Sequence, residues 1–199
     1  MFDLPPPIYN ALQKIVHGDY SKERAIINGL RDRRDGTVLE IGCGTGLVSE
    51  MFEVGTYVGC DVDDERIDAA RKAHPDHEFH VVDFTKDYSS FLERFDTVLF
   101  HNCIHHIDDH GMKTTLENIQ SAVKKRGRPI DVIAIEPVLP QPVMRNVPGF
   151  ILAKLDRGRY VRTFDDTTRL FGGNLLKADR LAGPWFWPVP GVAMKVAIT

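Results

Sequence analysis

A chain of 199 residues with 43% hydrophobic and 27% charged residues has enough apolar mass for one domain with a substantial core, and its net charge is only −3. Its basic residues are scattered, which argues against nucleic acid as the main partner. No apolar run approaches the roughly 20 residues of a membrane span.

The opening Met1-Phe2-Asp3-Leu4-Pro5-Pro6-Pro7 has neither the basic region nor the apolar core of a signal peptide. Cys43, Cys60 and Cys103 lack metal or CxxC spacing and read as reduced, small apolar residues. A cytoplasmic protein without a metal site is expected.

In chain order, two short helices are predicted over Ile8–His17 and Ser21–Arg31, the second with Ser21 as N-cap and Ala25, Ile26, Ile27 and Leu30 at helical spacing. Strands and helices then alternate. The strands are Thr37–Gly42, Tyr57–Asp61, Glu78–Asp83, Phe95–Asn102 and Asp131–Pro137; the helices are Leu47–Val54, Asp64–His74, Tyr88–Arg94 and Asp109–Lys125. Such alternation points to an α/β fold with a mostly parallel, doubly wound sheet. Continuous apolar runs such as Val132-Ile133-Ala134-Ile135 fit burial on both faces. Pro140, Pro142 and Pro148 predict an irregular segment over 138–162. A helix resumes over Asp165–Phe171, and two last strands, Leu175–Leu181 and Val192–Ile198, flank Gly183-Pro184-Trp185-Phe186-Trp187. With no repeat and no linker, 1–199 reads as one domain: helices over 1–34, a cofactor core over 35–137, and a substrate-side segment with a hairpin over 138–199.

The most informative stretch is Val38-Leu39-Glu40-Ile41-Gly42-Cys43-Gly44-Thr45-Gly46. A buried strand ends there in three alternate glycines, where the backbone can take positive φ and a ligand can lie against the main chain. A dinucleotide fingerprint would read G-x-G-x-x-G. Here the third glycine comes one residue early, and Glu40 stands where a pyrophosphate would be repelled and a positively charged ligand favoured.

The pattern E-x-G-x-G-x-G over 40–46 resembles the first motif of class I S-adenosylmethionine-dependent methyltransferases. The resemblance implies a Rossmann-like sheet of seven strands in the order 3-2-1-4-5-7-6, with the seventh antiparallel. It also implies S-adenosylmethionine as cofactor and S-adenosylhomocysteine as product. Gly42, Cys43, Gly44 and Gly46 would then shape the methionine cradle, with Glu40 nearby directly or through water. Asp61 at the end of the second strand would hold the ribose diol, beside Val62. Asp83 and Phe84 after the third would meet the adenine, and Asn102 would border the cofactor. Asp63 rivals Asp61 for the diol but sits where it would cap the next helix.

The fourth strand runs into Phe100-His101-Asn102-Cys103-Ile104-His105-His106-Ile107, which in this family borders the methyl group. His101, His105 and His106 are the candidate general bases; loop packing and helix capping are their alternative roles. The Pro-Pro-aromatic sequence of enzymes that methylate exocyclic amines is absent, and Cys103 lacks the preceding proline of a cytosine-methylating nucleophile. The expected acceptor is therefore a small molecule, methylated at oxygen, nitrogen or carbon. Glu136, Arg145, Tyr160 and Arg162 could meet a polar or anionic acceptor, with surface salt bridges the alternative for each arginine, and Phe150, Ile151, Leu152 and the Trp185-Phe186-Trp187 run could line an apolar acceptor pocket or close the core. Two alternatives remain open: a non-catalytic cofactor-binding regulator of the same fold, and an NAD-dependent oxidoreductase.

Overall fold

The computed structural model describes residues 21–33, 35–86, 88–155, 159–181 and 189–198. Its strands are β1 (Val38–Ile41), β2 (Tyr57–Asp61), β3 (Glu78–Val81), β4 (Thr97–His101), β5 (Ile130–Pro137), β6 (Leu175–Leu181) and β7 (Gly191–Ile198). They form one seven-stranded sheet in the order β3-β2-β1-β4-β5-β7-β6. The first five run parallel, whereas β7 pairs antiparallel with both β5 and β6. This is the order implied by the resemblance.

The helices are α1 (Ser21–Leu30), α2 (Asp64–Ala73), α3 (Ser89–Leu92), α4 (Asp109–Arg126), α5 (Val147–Leu155) and α6 (Phe164–Arg169). Local chemistry sets the ends of the two that frame the site. Asp63 caps α2 by accepting from the Arg66 N–H at 3.1 Å, and Asp108 caps α4 by accepting from the Gly111 N–H at 2.7 Å. Helix α4 stops at Gly127, which takes the left-handed conformation (φ 68°) after a basic last turn of Lys124, Lys125 and Arg126.

Every residue of β1 and β4 is buried, because both faces of the sheet are covered. Alternate side chains feed two apolar layers. Leu39, Val58, Phe100 and Val132 pack with α4, while Val38, Tyr57, Leu99 and Ile133 pack with α1 and α2. Each such side chain contributes about 1.5–3 kcal/mol on burial.

Two predicted elements differ. The helix expected over Leu47–Val54 is a five-residue 3-10 helix, Leu47–Met51, entered through Gly46 in the left-handed region. The irregular segment expected over 138–162 contains α5. Pro148 lies in its first turn, where no backbone N–H is needed, and the Asn146 side chain accepts from the Gly149 N–H at 3.0 Å. The expected helix over Ile8–His17 and the Trp185-Phe186-Trp187 run lie outside the described residues. Among the described residues no helix is long and apolar enough to cross a membrane.

Candidate active site

A cavity of about 760 Å³ opens where β1, β2 and β4 end. Open α/β sheets bind ligands beyond the carboxyl ends of their strands, and the volume lies within the roughly 300–1,000 Å³ typical of small-molecule sites. It is one continuous space. Gly42, Gly44, Asp61 and Asp83 line it beyond β1, β2 and β3, and His101, Asn102 and His106 beyond β4, together with Tyr160.

The turn after β1 is fastened to β2 by two bonds, from the Gly42 and Cys43 N–H groups to the Cys60 carbonyl, at 2.7 and 2.9 Å. Gly42, Gly44 and Gly46 all have positive φ, at 77°, 54° and 77°. Sequence spacing assigns all three to the cradle; the structure divides them. A Cβ on Gly42 would lie 2.2 Å from the Cys103 sulfur, and one on Gly46 would lie 2.7 Å from the Phe79 ring. Those two are glycine because the protein packs against them. A Cβ on Gly44 would meet nothing nearer than the tip of Arg66, at 3.7 Å. Gly44, at the rim of the cavity, leaves bare backbone to a ligand.

Asp61 lies at the end of β2 with both carboxylate oxygens engaged. One accepts from the Gly44 N–H at 2.8 Å and the other from the Asp63 N–H at 3.1 Å. A carboxylate has about four lone-pair sites, so two remain for hydroxyls. Asp63 is the helix cap, the alternative role the sequence offers it, and also pairs with Arg66 at 3.2 Å. Val62 is exposed beside them. Asp83 lies two residues beyond β3. The Thr85 hydroxyl, its N–H and Lys86 hold the Asp83 carboxyl below its usual range despite partial burial. Phe84 is buried, and its carbonyl is tied to α4 by Thr115 and Asn118 at 3.1 and 3.2 Å.

Glu40 is not an open anion under the turn. It is 1% exposed and accepts the Tyr57 hydroxyl. Burial pushes its carboxyl up to about 8, the Tyr57 bond opposes this, and nearby Asp61 adds to it. This burial favours the protonated form of Glu40 near neutral pH. Burial likewise pushes the Cys43 and Cys103 thiols well up, and all three cysteines are free and buried.

Around the end of β4 the three histidines separate. His101 closes β4, is 9% exposed and lines the cavity; His106 is exposed and lines it as well. His105 lies behind the wall, 6% exposed and away from the cavity surface, with Nδ1 at 2.8 Å from Glu136. Glu136, at the end of β5, is itself 2% exposed. Its carboxylate accepts from the N–H groups of Cys103 and Ile104 at 2.7 and 2.8 Å. Burial pushes Glu136 up, but the His105 imidazole and these N–H groups outweigh it, and the net displacement is downward. Glu136 therefore organises the loop rather than meeting an acceptor. Asn102 has φ 54°, the only positive value among described non-glycine residues, and its N–H donates to the Ile135 carbonyl at 2.9 Å. Asparagine tolerates this region better than most residues.

Sequence reasoning missed Thr45, Arg66 and His110 on the cavity wall. The Asp63 cap could have flagged Arg66, since it places that residue in the first turn of α2. Arg145 and Ile151 are exposed and do not line the cavity. Among the described residues no cluster of three or more His, Cys, Asp or Glu could hold a metal ion.

The residues present fit an S-adenosyl ligand. Bare backbone at Gly44, a hydroxyl-accepting Asp61 and a second carboxylate at Asp83 share one wall. Residues 38–127 match the family profile described as a methyltransferase domain. No curated protein sequence matches the chain. Among solved structures, a methyltransferase from Methanosarcina mazei, described as S-adenosylmethionine-dependent, is 15% identical with a TM-score of 0.65, over 86% of this chain and 96% of that one. Magnesium protoporphyrin IX methyltransferase from Synechocystis, solved with bound S-adenosylhomocysteine, is 15% identical with a TM-score of 0.60, over 93% and 86%. The glycine turn and the match over 38–127 mark a methyltransferase domain in this part of the chain, and the strand order gives the chain the fold of the solved S-adenosylmethionine-dependent methyltransferases it resembles.

Proposed function

We propose that this protein, a single methyltransferase domain over 1–199 working in the cytoplasm, transfers a methyl group to oxygen, nitrogen or carbon of a small-molecule acceptor. The observation that carries the reading is the continuity of the cavity, which joins the Gly44–Asp61–Asp83 wall to the loop bearing His101 and His106. The neighbour named for magnesium protoporphyrin IX supports a small-molecule acceptor by likeness of fold.

S-adenosylmethionine supplies an electrophilic methyl carbon. Asp61 would accept the ribose hydroxyls, Asp83 and Phe84 would border the adenine, and the backbone of Gly42–Thr45 together with Asn102 would hold the amino-acid end. His106, exposed on the cavity wall, takes the acceptor's proton on its imidazole. His101 flanks it, and His105 holds the loop through Glu136. In-line displacement needs little covalent help, so placing the nucleophile and excluding water are the protein's main tasks.

Calorimetry should show tight S-adenosylhomocysteine binding and none of NAD; the reverse result ends this reading. A screen of metabolite extracts with methyl-labelled cofactor should then yield a labelled small molecule, whereas binding without any transfer would mark a regulator. Against the acceptor so found, His106→Ala should lower kcat about 10²–10⁴-fold, the usual contribution of a positioned base.

A further inference from the structure

The loop that carries His106 is held from outside by a segment much later in the chain. The Tyr160 N–H donates to the His105 carbonyl at 3.0 Å, and the Arg162 carbonyl accepts from the Leu139 N–H at 2.8 Å. The Arg162 side chain is only 11% exposed, and its guanidinium reaches into the same loop. Its Nε donates to Asp109 Oδ1 at 3.0 Å and its Nη2 to the same oxygen at 2.6 Å. Nη2 also donates to the Ile107 carbonyl at 2.8 Å, and Nη1 to the carbonyls of Ile104 and Tyr160 at 3.2 and 3.1 Å.

A guanidinium has five N–H groups, and these are five bonds. No donor is left for an anionic acceptor, the role sequence reasoning offers Arg162. Besides the Asp109 carboxylate and the Tyr160 carbonyl, its acceptors are the Ile104 carbonyl, which also takes the Ile107 N–H, and the Ile107 carbonyl just past the 3-10 helix Ile104–His106. The flat, forked geometry lets one side chain span all of them; a point charge on a flexible stem cannot.

The segment 159–163 and the loop 104–109 are thereby fastened as one body. Tyr160 is the residue this delivers to the cavity wall, beside His106, Ile107 and His110. Its ring lies 5.8 Å from the guanidinium, on the same fastening. This wall presents three ring systems and an isoleucine. Its one carboxylate, Asp108, is committed to capping α4. Such faces favour a flat, uncharged ring through stacked or edge-on contacts.

Resting on the methyl-transfer reading, we propose that Arg162 is a positioning residue and Tyr160 a specificity-determining one, selecting an uncharged planar aromatic acceptor. The test uses the full chain loaded with S-adenosylhomocysteine, with Arg162→Gln and the milder Arg162→Lys. Hydrogen exchange should accelerate at least tenfold in 103–107 and in 159–163 together for both variants, with cofactor affinity unchanged within threefold. Exchange that stays at wild-type rates, or quickens in one segment alone, overturns the clamp. Methyl transfer from labelled S-adenosylmethionine is then measured on phenols, hydroxylated heteroaromatics, aliphatic alcohols and amines. Tyr160→Ala should raise KM for the aromatic acceptors at least tenfold and leave kcat within threefold. Unchanged KM, or a wild type that binds the cofactor yet methylates only the aliphatic compounds, overturns the acceptor class. A wild type that binds no S-adenosylhomocysteine ends the methyl-transfer reading instead, and exchange on the unloaded chain still decides the clamp.

Discussion

At the glycine-turn end of the cavity the deciding contacts join residues near one another in sequence. Asp61 reaches Gly44 across 17 positions and Asp63 across 2, and Asp83 reaches Thr85 across 2. At the histidine end they span far more chain: Glu136 to His105 across 31 positions and to Cys103 across 33, Arg162 to Ile107 across 55 and to Ile104 across 58. The first end is a motif, set by backbone conformation and by side chains that cap their own turns. The second is an assembly, and its loop has the right shape only after three separate segments have met. A motif keeps its shape when its surroundings change. An assembly depends on each anchor, and that is where the contrast is most easily broken.

Glu136 is the anchor with the largest expected effect. Glu136→Ala strands a buried imidazole and the N–H groups of Cys103 and Ile104. The loss should be about 3–5 kcal/mol of stability, the range for breaking a buried pair, read from the urea midpoint. Glu136→Gln keeps an acceptor oxygen for the two N–H groups and should lose much less. Equal midpoints for wild type and Glu136→Ala would show that the histidine end does not depend on this carboxylate.

The glycines sharpen the contrast within the motif itself. Gly42→Ala drives a Cβ into the Cys103 sulfur at a φ of 77°. Overpacking and left-handed strain together should cost about 2–5 kcal/mol. Gly44→Ala meets no such clash, so only about 1–2 kcal/mol of left-handed strain is expected. Its larger effect should be on calorimetric affinity for S-adenosylhomocysteine, falling at least tenfold as the Cβ enters the ligand's space. Equal losses of stability in the two variants would mean that the glycines share one role after all.

This division also explains what could be read from the sequence. The turn at 42–46 and the two carboxylates at strand ends were legible, because glycine spacing and an acid closing an apolar run are local signals, whereas the strand order came only through the family resemblance. Which histidine faces the cavity was not. His101, His105 and His106 look alike in sequence, and only Glu136 on a neighbouring strand turns His105 inward. The fastening by Arg162 was hidden for the same reason, since the loop groups it binds lie more than fifty positions away. The helix α5 was hidden by Pro148, which breaks a helix interior but suits a first turn.

Asp61 joins the two scales, because it holds the turn and stands ready to hold a ligand. Asp61→Ala should weaken S-adenosylhomocysteine by about 1–3 kcal/mol, the cost of leaving buried hydrogen-bonding groups without a partner. Asp61→Asn keeps one acceptor oxygen and should lie between. An unchanged calorimetric affinity in Asp61→Ala would remove this residue from the site and leave it a turn-holding role alone.

Glu40 should give the smallest effect, and its sign is fixed. Its carboxyl titrates near 4.5 when unperturbed and at about 8 in the folded protein. Between those values the native state holds a proton that the unfolded chain has lost, so this group's contribution to stability falls as pH rises and levels off above about 8. One proton gives at most about 1.4 kcal/mol between pH 6.5 and 7.5. Glu40→Gln keeps an oxygen for the Tyr57 hydroxyl and cannot ionise. The difference between wild-type and variant urea midpoints should therefore grow towards alkaline pH in the variant's favour. A parallel pair of profiles would show that Glu40 is already ionised beneath the turn. Where the group does hold its proton, a cationic ligand lying over it should drive that proton off. Calorimetric enthalpies for S-adenosylmethionine near pH 7 should then vary with the ionisation enthalpy of the buffer in the wild type, and not in Glu40→Gln. Proton release that persists in the variant would assign it to another group on the cavity wall.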